Sequence, residues 1–221
     1  MERSNWWLSP VWEYQSPFDA AFNKALLQEV YEIGQSIAKD GTYGKLSLWD
    51  YDRPHLNTLK EYILAKCYQS VCGDISEVNE LNLKMDFSGG WINVKGPGEG
   101  IEAHGHNDCS LTATYYVQAE ETSGDIVFMM QGDQISSDGS FINNDFSTLP
   151  HKHITPVSGK LVIFPAYIIH EVQRNRSNAL RISISTDLHQ IIDTNAPNAM
   201  VIKSWCDSML RLKTVCETKK D

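Results

Sequence analysis

Two histidines and a carboxylate lie within the five-residue segment His104-Gly105-His106-Asn107-Asp108. Imidazole and carboxylate groups suit non-haem Fe(II) sites, which use two or three protein ligands on one face and leave other positions open. Residues two apart at the end of a strand point to the same side. The segment therefore predicts part of a metal site, with either His104 and His106 or His106 and Asp108 as neighbouring ligands.

A third ligand has to come from a distant part of the chain. His170 follows the apolar run 161–164 and Pro165, so we expect it close to a strand end. A closed β-fold brings strands that are far apart in sequence next to one another, so the separation of His170 from His104 is no obstacle. The pattern predicts that His170 completes the metal site.

Arg181 and Ser183 are two residues apart in the apolar run 180–186 and should share one face of a strand. The polar turn 175–178 is expected to fold this strand back against the strand that carries Phe164, which brings Arg181 inside. A buried guanidinium is costly unless it meets an anion, and its planar fork matches a carboxylate. A metal beside such an arginine predicts a dicarboxylate cosubstrate, with one end on the metal and the other on Arg181.

Two helices and a series of short strands are predicted to position these residues. Pro17 opens a helical pattern that Asp40-Gly41 ends, and a second helix follows Pro54 and ends at Gly73. The aromatic stretch 9–14 is expected to form an edge strand. Further strands are predicted at 81–87, 91–94, 101–104, 111–118, 126–129, 160–164 and 180–186. Many short strands with regular turns indicate a sandwich or barrel.

The ordered motifs resemble a known family. They are Trp91-Ile92-Asn93, His104-Gly105-His106, Tyr115-Tyr116-Val117, Gly159-Lys160-Leu161-Val162-Ile163-Phe164-Pro165, His170-Glu171-Val172 and Arg181-Ile182-Ser183-Ile184. Their order over about residues 83–187 is similar to that in the 2-oxoglutarate and Fe(II)-dependent dioxygenases. It is most similar to a small oxygenase family of marine bacteria and cyanophages that is related to prolyl hydroxylases.

The resemblance implies a mainly β protein with flanking helices, folded as a double-stranded β-helix of the jelly-roll or cupin-like type. It implies Fe(II), 2-oxoglutarate and O2 as cofactor and cosubstrates, and decarboxylation of 2-oxoglutarate to succinate coupled to oxidation of a substrate, such as hydroxylation of a prolyl or other side chain. His170 matches the distal iron ligand, and Arg181 with Ser183 matches the 2-oxoglutarate clamp. Thr114 and either Tyr115 or Tyr116 are expected in the cosubstrate pocket, with Tyr115 preferred.

The proximal motif departs from the superfamily pattern, which is His-x-Asp or His-x-Glu. His104-Gly105-His106 puts a histidine in the carboxylate position, whereas His106-Asn107-Asp108 matches the pattern literally. We favour His104 as a ligand, because it ends the predicted strand and sets the usual distance to Tyr115. His106, Asp108 or water would then supply the third ligand. In the other register, His106, Asp108 and His170 form the triad.

The predicted organisation is one oxygenase domain over 1–221, with a β-helix core at about 81–188, helical support at 17–73 and a C-terminal helix at about 199–214. That last helix is expected to pack on the domain or to form a homodimer. The segment 132–156 is polar and weakly periodic, so it is either a flap over the active site or a surface excursion.

Charge and composition restrict the partners. The formal net charge of -9 argues against binding driven by nucleic-acid phosphates. No apolar run approaches the roughly 20 residues of a membrane helix. The five cysteines include no CxxC pair, which favours reduced thiols in a cytosolic protein. The family resemblance implies that this cytoplasm is that of a bacterial cell or phage-infected host. The partner is therefore expected to be a protein or small-molecule substrate.

Other interpretations of the same residues remain open. The histidines could be ordinary polar residues, Arg181 could form an ion pair with Glu102 or Asp187, and Cys109 could be a zinc thiolate. A second His-x-His pair, His151 with His153, lies in the polar segment. Two other functions compete with the oxygenase: a cupin-type metal enzyme that does not use 2-oxoglutarate, and a metal-free β-barrel binding module.

Overall fold

The computed structural model describes residues 2–6, 9–40, 47–72, 83–129 and 151–192. Strands β1 (Glu2–Trp6) and β2 (Ser9–Gln15) precede helix α1 (Ala20–Asp40), a short 3-10 helix (Leu48–Asp50) and helix α2 (Pro54–Cys72). The remaining strands are β3 (Leu83–Lys95), β4 (Ile101–His104), β5 (Leu111–Gln118), β6 (Ile126–Met129), β7 (His151–Ile154), β8 (Lys160–Pro165), β9 (His170–Val172) and β10 (Arg181–Ile192).

The strands form two antiparallel sheets. The large sheet has the order β1-β2-β8-β5-β10-β3, and the small sheet has the order β4-β9-β6-β7. From β3 onward the chain passes repeatedly from the large sheet to the small sheet and back, which is the winding of a double-stranded β-helix. The predicted fold class, mainly β with flanking helices, is confirmed.

Each face of the large sheet buries a different apolar cluster. On one face, Leu26 of α1 and Leu59 and Ile63 of α2 pack with Tyr115 and Ile184. On the other face, a second cluster lies between the two sheets; it contains Tyr116, Val162, Phe164, Ile126, Phe128 and Ile154. Because side chains alternate along a strand, neighbouring residues of β5 and β10 serve different faces. The helices thus support one face and leave the other for the site.

The helix α2 has the predicted inward face, since Leu56, Leu59, Ile63 and Cys67 are all buried. The aromatic strand β2 was expected at an edge of the sheet, but it is an inner strand, because β1 pairs with one side of it and β8 with the other. The strand β10 continues beyond the predicted end at 186 and pairs with β3 as far as Ile192.

Separate strands were expected at 81–87 and 91–94, but residues 83–87 and 91–94 belong to the single strand β3. Gly89-Gly90 does not turn the chain. A β-carbon on Gly90 would collide with the indole of Trp49, so glycine is needed for a close approach. The Trp49 Nε1 donates a hydrogen bond to Thr186 Oγ1 at 2.8 Å. Gly90 therefore marks the point where the buried side chain of Trp49 packs directly against the backbone of β3.

Two predictions fall outside the described residues. Of the polar segment 132–156, only its end is described, where β7 pairs with β6, so the flap stays a prediction. The helix at 199–214 and the single-domain assignment for 1–221 also stay predictions. Among the described helices, none combines the length and the apolarity that crossing a membrane requires.

Candidate metal centre

Three histidines converge where β4 meets β9. His104 ends β4 and pairs across the ladder with His170, the first residue of β9. His106 lies in the turn that follows β4. One nitrogen from each of the three rings lies within 4.8 Å of the others. The non-local strand pairing, which sequence spacing does not specify, brings together ligands 66 positions apart (170 − 104).

The Nδ1 atom of each imidazole faces an oxygen acceptor. His104 Nδ1 is 2.8 Å from the Glu102 carbonyl oxygen, and His170 Nδ1 is 3.0 Å from the Ile168 carbonyl oxygen. His106 Nδ1 is 3.0 Å from the carboxylate of Asp187. Carbonyl and carboxylate oxygens only accept hydrogen bonds, so Nδ1 carries the proton in each ring. The three Nε2 lone pairs are then available to a metal ion.

His170 is held in the neutral form. The pKa of His170 is lowered to about 4, mainly by burial and to a smaller extent by the neighbouring His104 and His106, although the hydrogen bond to the Ile168 carbonyl acts in the opposite direction. The rings of Phe128 and Phe164 lie against it, with centroids at 6.0 and 4.7 Å. A neutral imidazole is the form that coordinates a metal, so this ligand needs no deprotonation near pH 7.

The structure leaves Asp108 outside the histidine group. Asp108 is exposed and has a left-handed backbone conformation, with φ of 61°. Aspartate tolerates this conformation better than most residues, so its position suits a turn. Of the two ligand registers, the arrangement favours His104 with His106, because Asp108 is not part of the group that these two form with His170.

A cavity of about 90 Å³ opens beside the three imidazoles. Its walls come from both sheets and comprise Trp91, Asn93, Ile101, His104, His106, Thr112, Thr114, Tyr116, Ile126, His170, Val172, Arg181, Ser183 and Ser185. This volume is several times what one ordered water occupies, which suits a small ligand.

Arg181 is 2% exposed and lines this cavity. Its Nη1 donates to the Gly124 carbonyl at 3.3 Å, and its Nε has no hydrogen-bond partner. No carboxylate lies within 4.0 Å of it in the part of the chain that the structure describes, so the alternative interpretation, an ion pair with Glu102 or Asp187, is not observed there. Burial lowers the pKa of the guanidinium. A buried cation with unused donors favours an anionic ligand in the cavity.

The partner of Arg181 depends on a glycine. Gly124 has φ of +91°, and a β-carbon there would collide with the carbonyl oxygen of Gln173. Only a glycine at this position therefore allows the chain to pass close to Gln173 and direct the Gly124 carbonyl toward Arg181. In the sequence, Ser123-Gly124-Asp125 indicates a break between two strands, but it gives no indication of the contact with Arg181.

The expected cosubstrate residues are only partly brought together. Thr114 and Ser183 line the cavity, but Tyr115 does not. Tyr115 points to the helices, where its hydroxyl donates to Asn23 Oδ1 at 2.7 Å. The next residue, Tyr116, lines the cavity, so the preference for Tyr115 is corrected. The cause is the two-residue period of the strand, which puts consecutive residues on opposite faces.

Sequence reasoning did not assign roles to several residues at the site. Asn93 Nδ2 donates to Ser185 Oγ, which also lies 3.0 Å from Thr114 Oγ1. Trp91 stacks on His106 with ring centroids 5.7 Å apart. A signal for Ser185 was available, because it continues the alternation of Arg181 and Ser183 along the same face of β10.

The other histidine pair and Cys109 do not join the centre. Among the described residues, His104, His106 and His170 form a group of this kind, and neither His153 nor Cys109 belongs to it. His153 instead lies 3.3 Å from Asp125. Burial, followed by the nearby Asp187, raises the pKa of Cys109 to about 12, so it remains a thiol at neutral pH. These positions give no support to a zinc thiolate site.

Residues 89–187 match the model of the family described as "Putative 2OG-Fe(II) oxygenase". Similar solved structures include the non-heme alpha ketoglutarate dependent carbocyclase SnoK from nogalamycin biosynthesis (12% identity, TM-score 0.57, covering 87% of this chain and 85% of that chain). They also include a Pseudomonas putida prolyl-4-hydroxylase (16%, 0.51, 81% and 86%) and HygX from Streptomyces hygroscopicus with nickel and 2-oxoglutarate bound (11%, 0.54, 81% and 81%). No curated protein matches the sequence.

At these identities the solved structures establish a shared fold. The family match carries more, because its range contains the three histidines, Arg181 and the rest of the cavity-lining residues named above. Over residues 89–187 the chain is therefore similar to the family of 2OG-Fe(II) oxygenases that this model describes.

Proposed function

We propose that this protein is an Fe(II)- and 2-oxoglutarate-dependent oxygenase that acts as a hydroxylase. The observation that carries the proposal is a buried arginine with an unpaired Nε on the same cavity as three convergent imidazoles. A metal-binding group and an anion-binding group on one small cavity are what a chelating dicarboxylate requires. Decarboxylation of 2-oxoglutarate to succinate would be coupled to oxidation of the substrate.

The metal ligands in this proposal are His104, His106 and His170. Imidazole suits Fe(II), and three ligands on one side leave coordination positions free on the side of the cavity. Bound Fe(II) supplies the activation of O2, whereas the protein supplies position, electrostatics and exclusion of water. The hydrogen bonds at Nδ1 hold each ring with its Nε2 toward the ion.

The cosubstrate contacts in this proposal are at the other side of the cavity. Arg181 would bind the distal carboxylate of 2-oxoglutarate, and Ser183, Thr114 and Tyr116 line the same space. Burial raises the pKa of Tyr116 to about 12, so its hydroxyl stays protonated and can donate a hydrogen bond. A carboxylate there would accept a hydrogen bond from Arg181 Nε, which the described residues leave unpaired.

The substrate in this proposal is a prolyl or other side chain of a protein, or a small metabolite. The structural similarity to a prolyl-4-hydroxylase is compatible with the first of these. We further propose a cytoplasmic protein that acts without nucleic acid or membrane, as a homodimer. The acidic net charge of -9 supports the exclusion of nucleic acid.

The first test is anaerobic addition of Fe(II) and then 2-oxoglutarate, followed by absorption spectroscopy. Chelation should produce a visible charge-transfer band, and exposure to O2 with a panel of substrates should release succinate. Arg181→Ala should lose the band at 2-oxoglutarate concentrations that saturate the native protein. Arg176→Ala, which removes an exposed arginine nearby, is the matched control and should keep it. A folded native protein that forms no chelate contradicts the proposal.

A cupin-type metal enzyme that does not use 2-oxoglutarate is the second candidate. The observation that favours it is a candidate ligand group made of three histidines without a carboxylate. The buried Arg181 favours the first candidate, because a cupin-type reaction has no need of it. Metal-dependent turnover that persists in Arg181→Ala would support the second candidate. Absence of metal binding altogether would support a metal-free binding module.

A further inference from the structure

His106 differs from the other two histidines in the partner of its Nδ1. His104 and His170 each face the backbone carbonyl of the residue two positions earlier. His106 instead faces the carboxylate of Asp187, which is 81 positions later in the chain. One of the three candidate ligands therefore has a full negative charge behind it, whereas the other two have neutral partners.

The fold holds Asp187 in place for this contact. Asp187 lies on β10 directly across from Thr112 of β5, whose hydroxyl donates to Asp187 Oδ1 at 2.8 Å. The pairing of β10 with β3 shifts register between Asp187 and Leu188. A bulge of this kind redirects a side chain and is common beside active sites.

The pair of Asp187 and His106 is largely withdrawn from water. The side chains are 18% and 12% exposed, respectively. On another side of His106, Trp91 stacks with an interplanar angle of 22°. A charge in such surroundings acts more strongly on its neighbour than it would in bulk water. The carboxylate and the indole together determine the orientation of the ring.

We propose that Asp187 is the positioning residue of the metal centre. It holds the proton on Nδ1 of His106, aims Nε2 at the ion and supplies the negative charge of the missing ligand carboxylate. The inference rests on the proposed function. His106 occupies the position where the superfamily pattern has Asp or Glu. In that pattern the carboxylate binds the metal directly, whereas here the carboxylate of Asp187 contacts the Nδ1 atom of a histidine ligand. The total formal charge of the site is the same in both arrangements.

Asp187→Asn tests this assignment, because the amide oxygen can still accept from Nδ1 while the charge is removed. We expect the affinity for Fe(II), titrated anaerobically without 2-oxoglutarate, to fall by about 10- to 100-fold. We also expect the charge-transfer band of the 2-oxoglutarate complex to move to shorter wavelength, because a less electron-rich metal gives up its electron less easily. A purely structural role would not move the band.

Asp125→Asn is the matched control. It removes an equal charge and also disrupts an aspartate–histidine contact, that with His153, outside the centre. Affinity and band should both stay at their native values. If Asp187→Asn does not fold, Thr112→Val replaces it, since it frees the carboxylate from its donor and should weaken Fe(II) binding in the same sense.

The outcomes separate the two proposals. Native protein that binds no Fe(II) overturns the proposed function, and the role of Asp187 fails with it. Native protein that binds Fe(II), together with a folded Asp187→Asn of native affinity and band position, or a folded Thr112→Val of native affinity, overturns only the role of Asp187.

Discussion

The two faces of the large sheet differ in the kind of polar group that each of them buries. On the helix side, Tyr115 contacts both Asn23 and Ser16, and Trp49 donates to Thr186. On the cavity side, Arg181 keeps an unpaired Nε. The helix side also leaves one buried group without a partner, the Tyr62 hydroxyl, but that group is neutral, whereas an unpaired buried guanidinium favours an anionic ligand. The helix side therefore serves stability and the cavity side serves binding.

The largest expected effect is on the cavity side, at His170. His170→Ala should reduce Fe(II) affinity by more than about 100-fold, the upper range for loss of a residue that only supports a ligand. The measurement is calorimetric titration with Fe(II) under anaerobic conditions. His153→Ala, which alters a histidine outside the centre, should leave the affinity unchanged. Equal losses in both variants would contradict the assigned ligand set.

A substitution at Arg181 should separate binding from stability. Arg181→Met keeps much of the side-chain volume but removes the buried charge. The apparent affinity for 2-oxoglutarate should fall by roughly 2–5 kcal/mol, the usual cost of losing a buried charged partner. The ligand-free protein should be as stable as the native protein or more stable, by up to about 4 kcal/mol. Thermal unfolding with and without 2-oxoglutarate measures both effects, and lower stability with unchanged affinity would contradict this prediction.

The neutral state of His170 should make stability depend on pH. The pKa of His170 in the folded protein is about 4, below its ordinary value of 6.5. Between these two pH values the His170 imidazole is protonated in the unfolded chain but neutral in the folded protein. The contribution of His170 is therefore complete above about pH 6.5 and is lost as pH falls toward 4, up to about 3 kcal/mol. Denaturant unfolding of metal-free His170→Gln should show a weaker decline over this window.

The smallest expected effects compare adjacent residues on opposite faces. Tyr115→Phe leaves Asn23 without its donor and should lower the free energy of unfolding by about 1–2 kcal/mol with unchanged 2-oxoglutarate affinity. Tyr116→Phe should weaken 2-oxoglutarate binding by about 1 kcal/mol with little change in stability. Denaturant unfolding should therefore show a change only for Tyr115→Phe, and 2-oxoglutarate titration should show a change only for Tyr116→Phe. The same result for both would mean that the faces are not functionally distinct.

Local patterns predicted the elements well where a periodic apolar face extends over many residues. The buried face of α2 and the strands β4, β5 and β6 followed the expected ranges. Prediction failed where a contact distant in sequence overrides a local signal. Gly89-Gly90 was expected to form a turn, because paired glycines usually do. The residue that requires a glycine here is Trp49, which lies about 40 positions earlier in the chain, so the local pattern could not reveal the contact.

The sequence alone determined the kinds of chemical group at the site, through His104, His106, His170 and Arg181, because residue type sets which ligands a side chain can bind. Tertiary structure decided which groups meet. Strand pairing puts His104 opposite His170, excludes Asp108 and brings Asp187 behind His106. The alternation of β5 chose Tyr116 over Tyr115. The physical reason is that strand register and facing, which depend on contacts between distant residues, decide what a side chain touches.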